Sequence, residues 1–166
     1  TGFDLISAYY PNIYTELYSL IDSTSNLKDC IINYVTSTQT MEVVDASIKT
    51  TSTIKGFDLV NCRCEGIFED CSIVNSQVNN SQTVGCNING TEIKNSKVLN
   101  CVVDNSDLEE CFFMNGYFNG NMEGGVFRSG KLGQFANISS NTKVVTDGDN
   151  FFDTKFGESD KKEKSD

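Results

Sequence analysis

Histidine and tryptophan are absent from this 166-residue chain, and proline occurs only once, at Pro11. Without histidine, the chain lacks the side chain that most often serves as general acid–base and as metal ligand. Basic residues are also scarce, with 13 Lys and Arg against 23 Asp and Glu, whereas a phosphate-binding surface needs clustered cations. No apolar run reaches the length of a membrane span, and no signal peptide opens the chain. We therefore expect no catalytic, cofactor or metal site, and no nucleic-acid or membrane partner.

The two ends of the chain differ from its middle. Residues 1–38 predict two short helices, the first starting near Pro11 and the second with Ser25 as its N-cap. Residues 141–166 predict an irregular segment that ends in a solvated, charged tail from Asp160. Apolar side chains recur at helical spacing in both predicted helices. They are Ile13, Leu17, Leu20 and Ile21 in the first, and Leu27, Ile31, Tyr34 and Val35 in the second.

Residues 39–140 carry a repeat of five residues. From Phe68 to Phe118 the middle residue of every pentad, which we call the centre, is bulky and apolar except at Thr83. The residue two positions before each centre, which we call the small slot, is always small, and the residue two positions after it is nearly always Asn, Asp or Gly. A period of five fits neither a helix nor an alternating strand. The centres are Phe68, Ile73, Val78, Thr83, Ile88, Ile93, Val98, Val103, Leu108, Phe113 and Phe118.

A coil with a corner at every pentad satisfies this pattern. Centre and small slot both point inward, because one bulky group per side leaves room only for a small companion. Asn, Asp and Gly suit the corners, since they tolerate left-handed backbone and can cap turns. We predict that four pentads close one square turn and that turns stack at roughly 4.8 Å. Residues twenty apart would then share a column, as in Ile73, Ile93 and Phe113.

The pattern of a small residue, a polar residue, a bulky apolar centre and two further residues resembles the pentapeptide-repeat family. The resemblance implies an all-β solenoid, a right-handed quadrilateral parallel β-helix, here with a short helical N-terminal cap. The chain departs from the usual pattern, because Cys, Ser and Thr replace Ala in the small slot and Ile and Val often replace Leu and Phe at the centre. With slips of one residue, the frame extends upstream to Val43 and downstream to Ile138.

The chain contains seven cysteines, an odd number. In twenty-residue columns no two slot cysteines would be in direct contact, which argues against disulfides between them. Cys62 and Cys64 both point inward in this frame, and a single C-x-C pair is weak support for a zinc site. We predict buried, reduced thiols and hence a reducing, cytoplasmic location. The cysteines in small slots are Cys71, Cys86, Cys101 and Cys111.

The outward positions of the last coils turn apolar, with Phe112, Met114 and Tyr117 predicted to face away from the core. Clustered exposed aromatic side chains usually mark contacts between proteins. Two explanations remain open at this point. Either loops or the Phe151–Phe152 segment cover these side chains, or the five residues form an interaction surface.

Two functions fit these observations. The first is a non-catalytic structural or protein–protein interaction module in a larger assembly, with other subunits or a second copy of itself as partner. The Asn-, Ser- and Thr-rich acidic texture is similar in style to virion proteins of tailed phages, and a chain that begins at Thr1 without Met favours a piece of an assembly. In that case the location is the virion.

The alternative follows from the family resemblance, which includes acidic rods that mimic DNA and inhibit type II topoisomerases such as gyrase. The solenoid's carboxylates are interrupted by Lys94 and Lys97 and form no continuous ladder, whereas a mimic should match the regular phosphate spacing of a duplex. A small enzyme whose active site lies elsewhere in a longer chain is a third possibility.

Overall fold

The computed structural model describes residues 21, 23–26, 30–35, 37, 40–145 and 151–152. Among them the regular elements are all β-strands, and no helix could cross a membrane. The strands are β1 (Ile31–Val35), β2 (Thr40–Val44), β3 (Ser47–Lys55), β4 (Phe57–Val60), β5 (Arg63–Glu69), β6 (Ser72–Val74), β7 (Gln77–Asn79), β8 (Gln82–Val84), β9 (Asn87–Asn89), β10 (Glu92–Lys94), β11 (Lys97–Leu99), β12 (Val102–Glu109), β13 (Phe112–Met114), β14 (Tyr117–Glu123), β15 (Val126–Arg128), β16 (Lys131–Leu132), β17 (Asn137–Ile138), β18 (Lys143–Val145) and β19 (Phe151–Phe152).

These strands form a parallel β-solenoid of about seven coils, which confirms the predicted all-β solenoid. The predicted four-sided turn is wrong, because each coil closes after three pentads. β6 pairs with β9 and β9 with β12, so that Ile73 lies beside Ile88 and Ile88 beside Val103, at intervals of 15 residues. Ile73, Ile93 and Phe113, predicted to share one column, lie on three different sides.

The three sides, which we call faces A, B and C, each stack one column of centres in the core. Every centre in these columns is buried. Face A has Ile54, Phe68, Thr83, Val98, Phe113, Phe127 and Val144; face B has Val43, Leu59, Ile73, Ile88, Val103, Phe118 and Leu132; face C has Ile48, Cys64, Val78, Ile93, Leu108, Met122 and Ile138. The bulky side chains thus fill one continuous hydrophobic core along the solenoid axis.

The corners have the left-handed backbone that their residue types predict. Asn75 and Asn95 have φ values of 51° and 52°, and even Glu110 adopts 53°. The stacking at the corners differs from the twenty-residue prediction of an Asn75–Asn95–Asn115 ladder. The side chain of Asn75 instead occupies the space where a Cβ on Gly90 would lie.

The small slots carry hydrogen bonds that tie each coil to the next. The Ser96 hydroxyl donates to the carbonyl of Lys94 in its own corner (2.8 Å) and accepts the amide hydrogen of Ser81 in the preceding coil (3.0 Å). Ser81 repeats the arrangement with Asn79 (2.7 Å) and the amide of Gly66 (2.9 Å). The sequence analysis required only small residues here, so it missed this role. It explains why Ser, Thr and Cys occupy the slot in place of Ala.

We expect Ser96→Ala to lower the free energy of unfolding by about 1–3 kcal/mol, since it leaves the buried amide of Ser81 without its acceptor. Urea unfolding followed by circular dichroism measures the change. Ser72→Ala is the matched control, because Ser72 points outward on β6 and is half-buried, and it should change stability by no more than about 0.5 kcal/mol. Equal losses in the two variants would contradict the proposed role of the slot hydroxyl.

The N-terminal segment pairs with the first coil in the antiparallel direction. Ile31–Val35, predicted as helical, is strand β1 and pairs with β2, while Asn26 bridges to Ser47. Ser25 does not cap a helix: its hydroxyl accepts the amide hydrogen of Lys49 (2.7 Å). The physical reason is that the edge of the first coil exposes backbone donors and acceptors, which β-pairing satisfies. The helix predicted to start near Pro11 falls outside the described residues except at Ile21.

At the other end, the parallel stack continues beyond residue 140. β18 pairs with β15 on face A, and β19 pairs with β16 on face B. The predicted charged tail from Asp160 lies outside the described residues.

Candidate functional site

The structure divides the predicted interaction surface between two faces. Phe112 and Met114 flank the buried Phe113 on β13 and lie half-buried on the outside of face A. Tyr117 lies half-buried on the outside of face B, beside Lys131 in the next coil. The backbone of Phe151 pairs with that of Lys131, so strand β19 also belongs to face B. The five residues therefore form no single patch, and strand β19 does not run along face A.

Face A carries a contiguous apolar stripe that the sequence analysis did not assemble. Val84, Leu99 and Met114 stack in one outward column on successive coils. Phe112 lies on the same strand as Met114, and Val126 follows Phe112 in the next coil. All five side chains are half-buried. The stripe depends on a stacking interval of 15 residues, so a twenty-residue column could not reveal it.

Cations border this stripe on a protein with a formal net charge of −10. Lys97 precedes Phe112 in its column, Lys143 follows Val126, and Arg128 follows Met114. From Gln82 onward, the outward positions of the described face A strands contain no Asp or Glu. This half of face A is therefore positively charged as well as apolar.

Face B carries the opposite combination near the N-terminal end. Val44, Val60 and Val74 stack in one outward, half-buried column. Glu42 and Asp58 stack in the neighbouring column of the same face. This second apolar stripe is bordered by carboxylates.

The C-terminal half of face C is acidic. Glu92, Asp107, Glu109 and Glu123 lie outward on three successive coils, and only Lys94 interrupts them, with its ammonium nitrogen 3.7 Å from a Glu109 carboxylate oxygen. An open groove of about 430 Å³ runs over these residues. Within the part of the chain that the structure describes, no group of three or more His, Cys, Asp or Glu could hold a metal ion.

A larger open groove, of about 780 Å³, follows the corner between faces B and C. Asp45, Asn61 and Asn75 line it from the corners, and Arg63 and Glu92 line it from face C. The Asn61 amide donates to the Asp45 carboxylate (2.6 Å), so the corner side chains bind one another.

Three cysteines form a ladder in the core, contrary to the prediction that slot cysteines are not in contact. Cys71, Cys86 and Cys101 share one column of small slots at intervals of 15 residues, and the Cys86 amide donates to the Cys101 sulfur (3.4 Å). The hydrogen bond with Cys86 lowers the pKa of Cys101 to about 7 and also lowers the pKa of Cys71, while the pKa of Cys86 is raised. All seven cysteines are buried and none forms a disulfide, which agrees with the predicted thiol state.

The buried thiols predict a loss of stability in alkali. Burial raises the pKa of Cys64 well above its ordinary value of 9.0, so above pH 9 the unfolded chain releases a proton that the folded chain keeps. This thiol should therefore lower the free energy of unfolding by about 1.4 kcal/mol per pH unit above pH 9.

We expect Cys64→Ala to remove that loss, so that its stability falls by about 1.4 kcal/mol less than that of the parent between pH 8 and pH 10. Denaturant unfolding in reductant at both pH values provides the measurement. Ser76→Ala, a buried small-slot variant without a titrating group, should keep the pH dependence of the parent. An unchanged pH dependence in Cys64→Ala would contradict the prediction.

No protein-family model matches the sequence, and no curated protein matches it at a significant level. The pentapeptide-repeat resemblance therefore rests on the residue pattern alone.

Proposed function

We propose that the protein is a non-catalytic structural module that binds other protein subunits through face A. The observation that carries this proposal is the apolar stripe of Val84, Leu99, Met114, Phe112 and Val126 with its border of cations. Contiguous exposed apolar surface on a soluble domain is typical of a protein contact. A rigid, flat face presents such a stripe at little entropic cost on binding.

We also propose that the solenoid is a three-sided variant of the pentapeptide-repeat type. The support is the five-residue pattern of small slot, bulky centre and left-handed corner. Seven buried thiols without a disulfide favour a reducing compartment. That compartment is the cytoplasm, or a virion assembled there if a phage encodes the chain.

Site-specific photo-crosslinking in the producing cell tests the interaction proposal. A photoreactive amino acid at position 99 should crosslink one dominant protein, because Leu99 lies in the middle of the stripe. The same group at position 92, on the outside of face C, is the matched control and should give no such product. Equal labelling from both positions, or none from position 99, would refute binding through face A. Mass spectrometry of the product distinguishes a second copy of the chain from a different protein.

Inhibition of a type II topoisomerase by DNA mimicry is the second candidate, favoured by the acidic half of face C. It ranks second because side chains on successive coils repeat at roughly 4.8 Å, whereas duplex DNA presents one charge per about 1.7 Å of axis. A gyrase supercoiling assay decides the matter. Inhibition that Asp107→Asn and Glu123→Gln both weaken would establish the candidate, and absence of inhibition removes it.

A further inference from the structure

We infer that the partner of face A is a second copy of this chain, bound through the N-terminal half of its face B. This inference rests on the proposed function and adds the identity of the partner. One molecule contributes the stripe around Leu99, and the next contributes the stripe around Val60. The two stripes are different surfaces of the same molecule.

The two stripes match in their repeat distance. Val84, Leu99 and Met114 on face A occupy three successive coils, as do the three valines around Val60 on face B. Both columns are built on strand pairing, so both repeat at roughly 4.8 Å. When two solenoid axes lie side by side, each apolar side chain of one column can therefore pack between side chains of the other without a mismatch that grows along the axis.

The charges bordering the stripes are also complementary. Lys97, Arg128 and Lys143 lie beside the face A stripe, and Glu42 and Asp58 lie beside the face B stripe. Opposite charges across an interface select the partner and its orientation. Two face A surfaces in contact would bring like charges together.

The two carboxylates keep their charge in the single molecule. Glu42 accepts a hydrogen bond from the amide of Asn33 (3.4 Å), and Asp58 accepts one from the hydroxyl of Thr40 (3.2 Å). Because these donors are neutral, they leave the negative charge for a cation of the neighbouring molecule. The acidic half of face C fits less well, since its outward positions lack an apolar column.

Contact between two different surfaces is heterologous, so it produces rings or open chains and not a closed dimer. A patch three coils high and five residues wide covers roughly 240 Å² of flat area at about 4.8 Å per coil and 3.3 Å per residue. Stable complexes bury about 800 Å² per partner. The association should therefore be weak, with a dissociation constant on the order of 10⁻⁴ M.

Sedimentation velocity of the purified chain in reductant, from about 10 μM to about 1 mM, tests this arrangement around that expected constant. The mean mass should rise continuously with concentration and pass that of a dimer. Leu99→Glu and Val60→Lys should each be monomeric alone, because each lacks one of the two surfaces. Gln77→Glu, an exposed change on face C, is the control and should associate like the parent. Thermal unfolding of all variants confirms that they are folded.

Mixing the two monomeric variants is the decisive step. Val60→Lys keeps an intact face A and Leu99→Glu keeps an intact face B, so the mixture should form a dimer that grows no further. A parent chain that stays monomeric throughout, or a mixture that does not associate, would overturn the inference. A monomeric parent together with a crosslink from position 99 to a different protein would overturn self-association and leave the proposed function standing.

Discussion

Replacing Phe113 by alanine should lower the free energy of unfolding by about 3–5 kcal/mol, the usual cost of emptying a buried aromatic site. Phe113 is fully buried on face A, and its ring stacks on that of Phe127 at a centroid distance of 5.0 Å and an interplanar angle of 4°. The ring of Phe118 packs against it at 5.7 Å. A domain is typically stable by only about 5–15 kcal/mol, so this one truncation would remove a large share of the total.

Denaturant unfolding measures the loss, and the neighbouring residue supplies a matched control. Phe112 is the same residue type on the same strand but points outward and is half-buried, so Phe112→Ala should cost about 1 kcal/mol or less. Should Phe113→Ala prove too unstable to purify, Phe113→Leu keeps most of the apolar volume and should lose less. Similar losses at positions 112 and 113 would contradict the inward and outward assignment of β13.

Gly125→Ala should destabilise the protein by about 2–5 kcal/mol, because two separate penalties act at this position. Its φ of 73° is in the left-handed region, which costs a residue with a Cβ about 1–2 kcal/mol. A Cβ there would also overlap the carbonyl oxygen of Cys111 and lie 2.6 Å from its nitrogen. These are backbone atoms of the preceding coil, so the coils must separate, and such overpacking costs about 1–3 kcal/mol.

Gly56→Ala isolates the first penalty. Gly56 has nearly the same φ, 74°, but no atom lies within 4 Å of where its Cβ would be. This variant should therefore lose only the conformational cost of about 1–2 kcal/mol. The difference between the two variants, measured by thermal or urea unfolding, reports the close approach of neighbouring coils. Equal losses would show that this approach is looser than the structure has it.

The number of sides illustrates a limit of the pattern. Nearly every centre is apolar and every slot is small, so any multiple of five residues stacks like on like. The column of Ile73, Ile93 and Phe113 passed that test although its members lie on different faces. The slot residues held the missing signal, since Cys71, Cys86 and Cys101 repeat at 15 residues and not at 20.

The candidate site was predictable only in part for the same reason. Phe112 and Met114 stood out because they occupy outward positions beside an apolar centre. Val84, Leu99 and Val126 occupy equivalent positions in other pentads, but their contact with that pair depends on which coil stacks on which. The N-terminal strand β1 was missed because helical spacing describes one chain segment, whereas the exposed edge of the first coil offered that segment a partner.

The sequence by itself determined the five-residue repeat, the inward centres, the small slots and the left-handed corners, because each depends on residues within one pentad and on the steric limits of their backbone. Only the tertiary structure decided the number of pentads per coil, the cysteine ladder, the antiparallel first strand and the pairing of apolar columns with charges on faces A and B. Those features depend on contacts between residues 15 or more positions apart, and a repeat that satisfies every multiple of five does not specify which of them form.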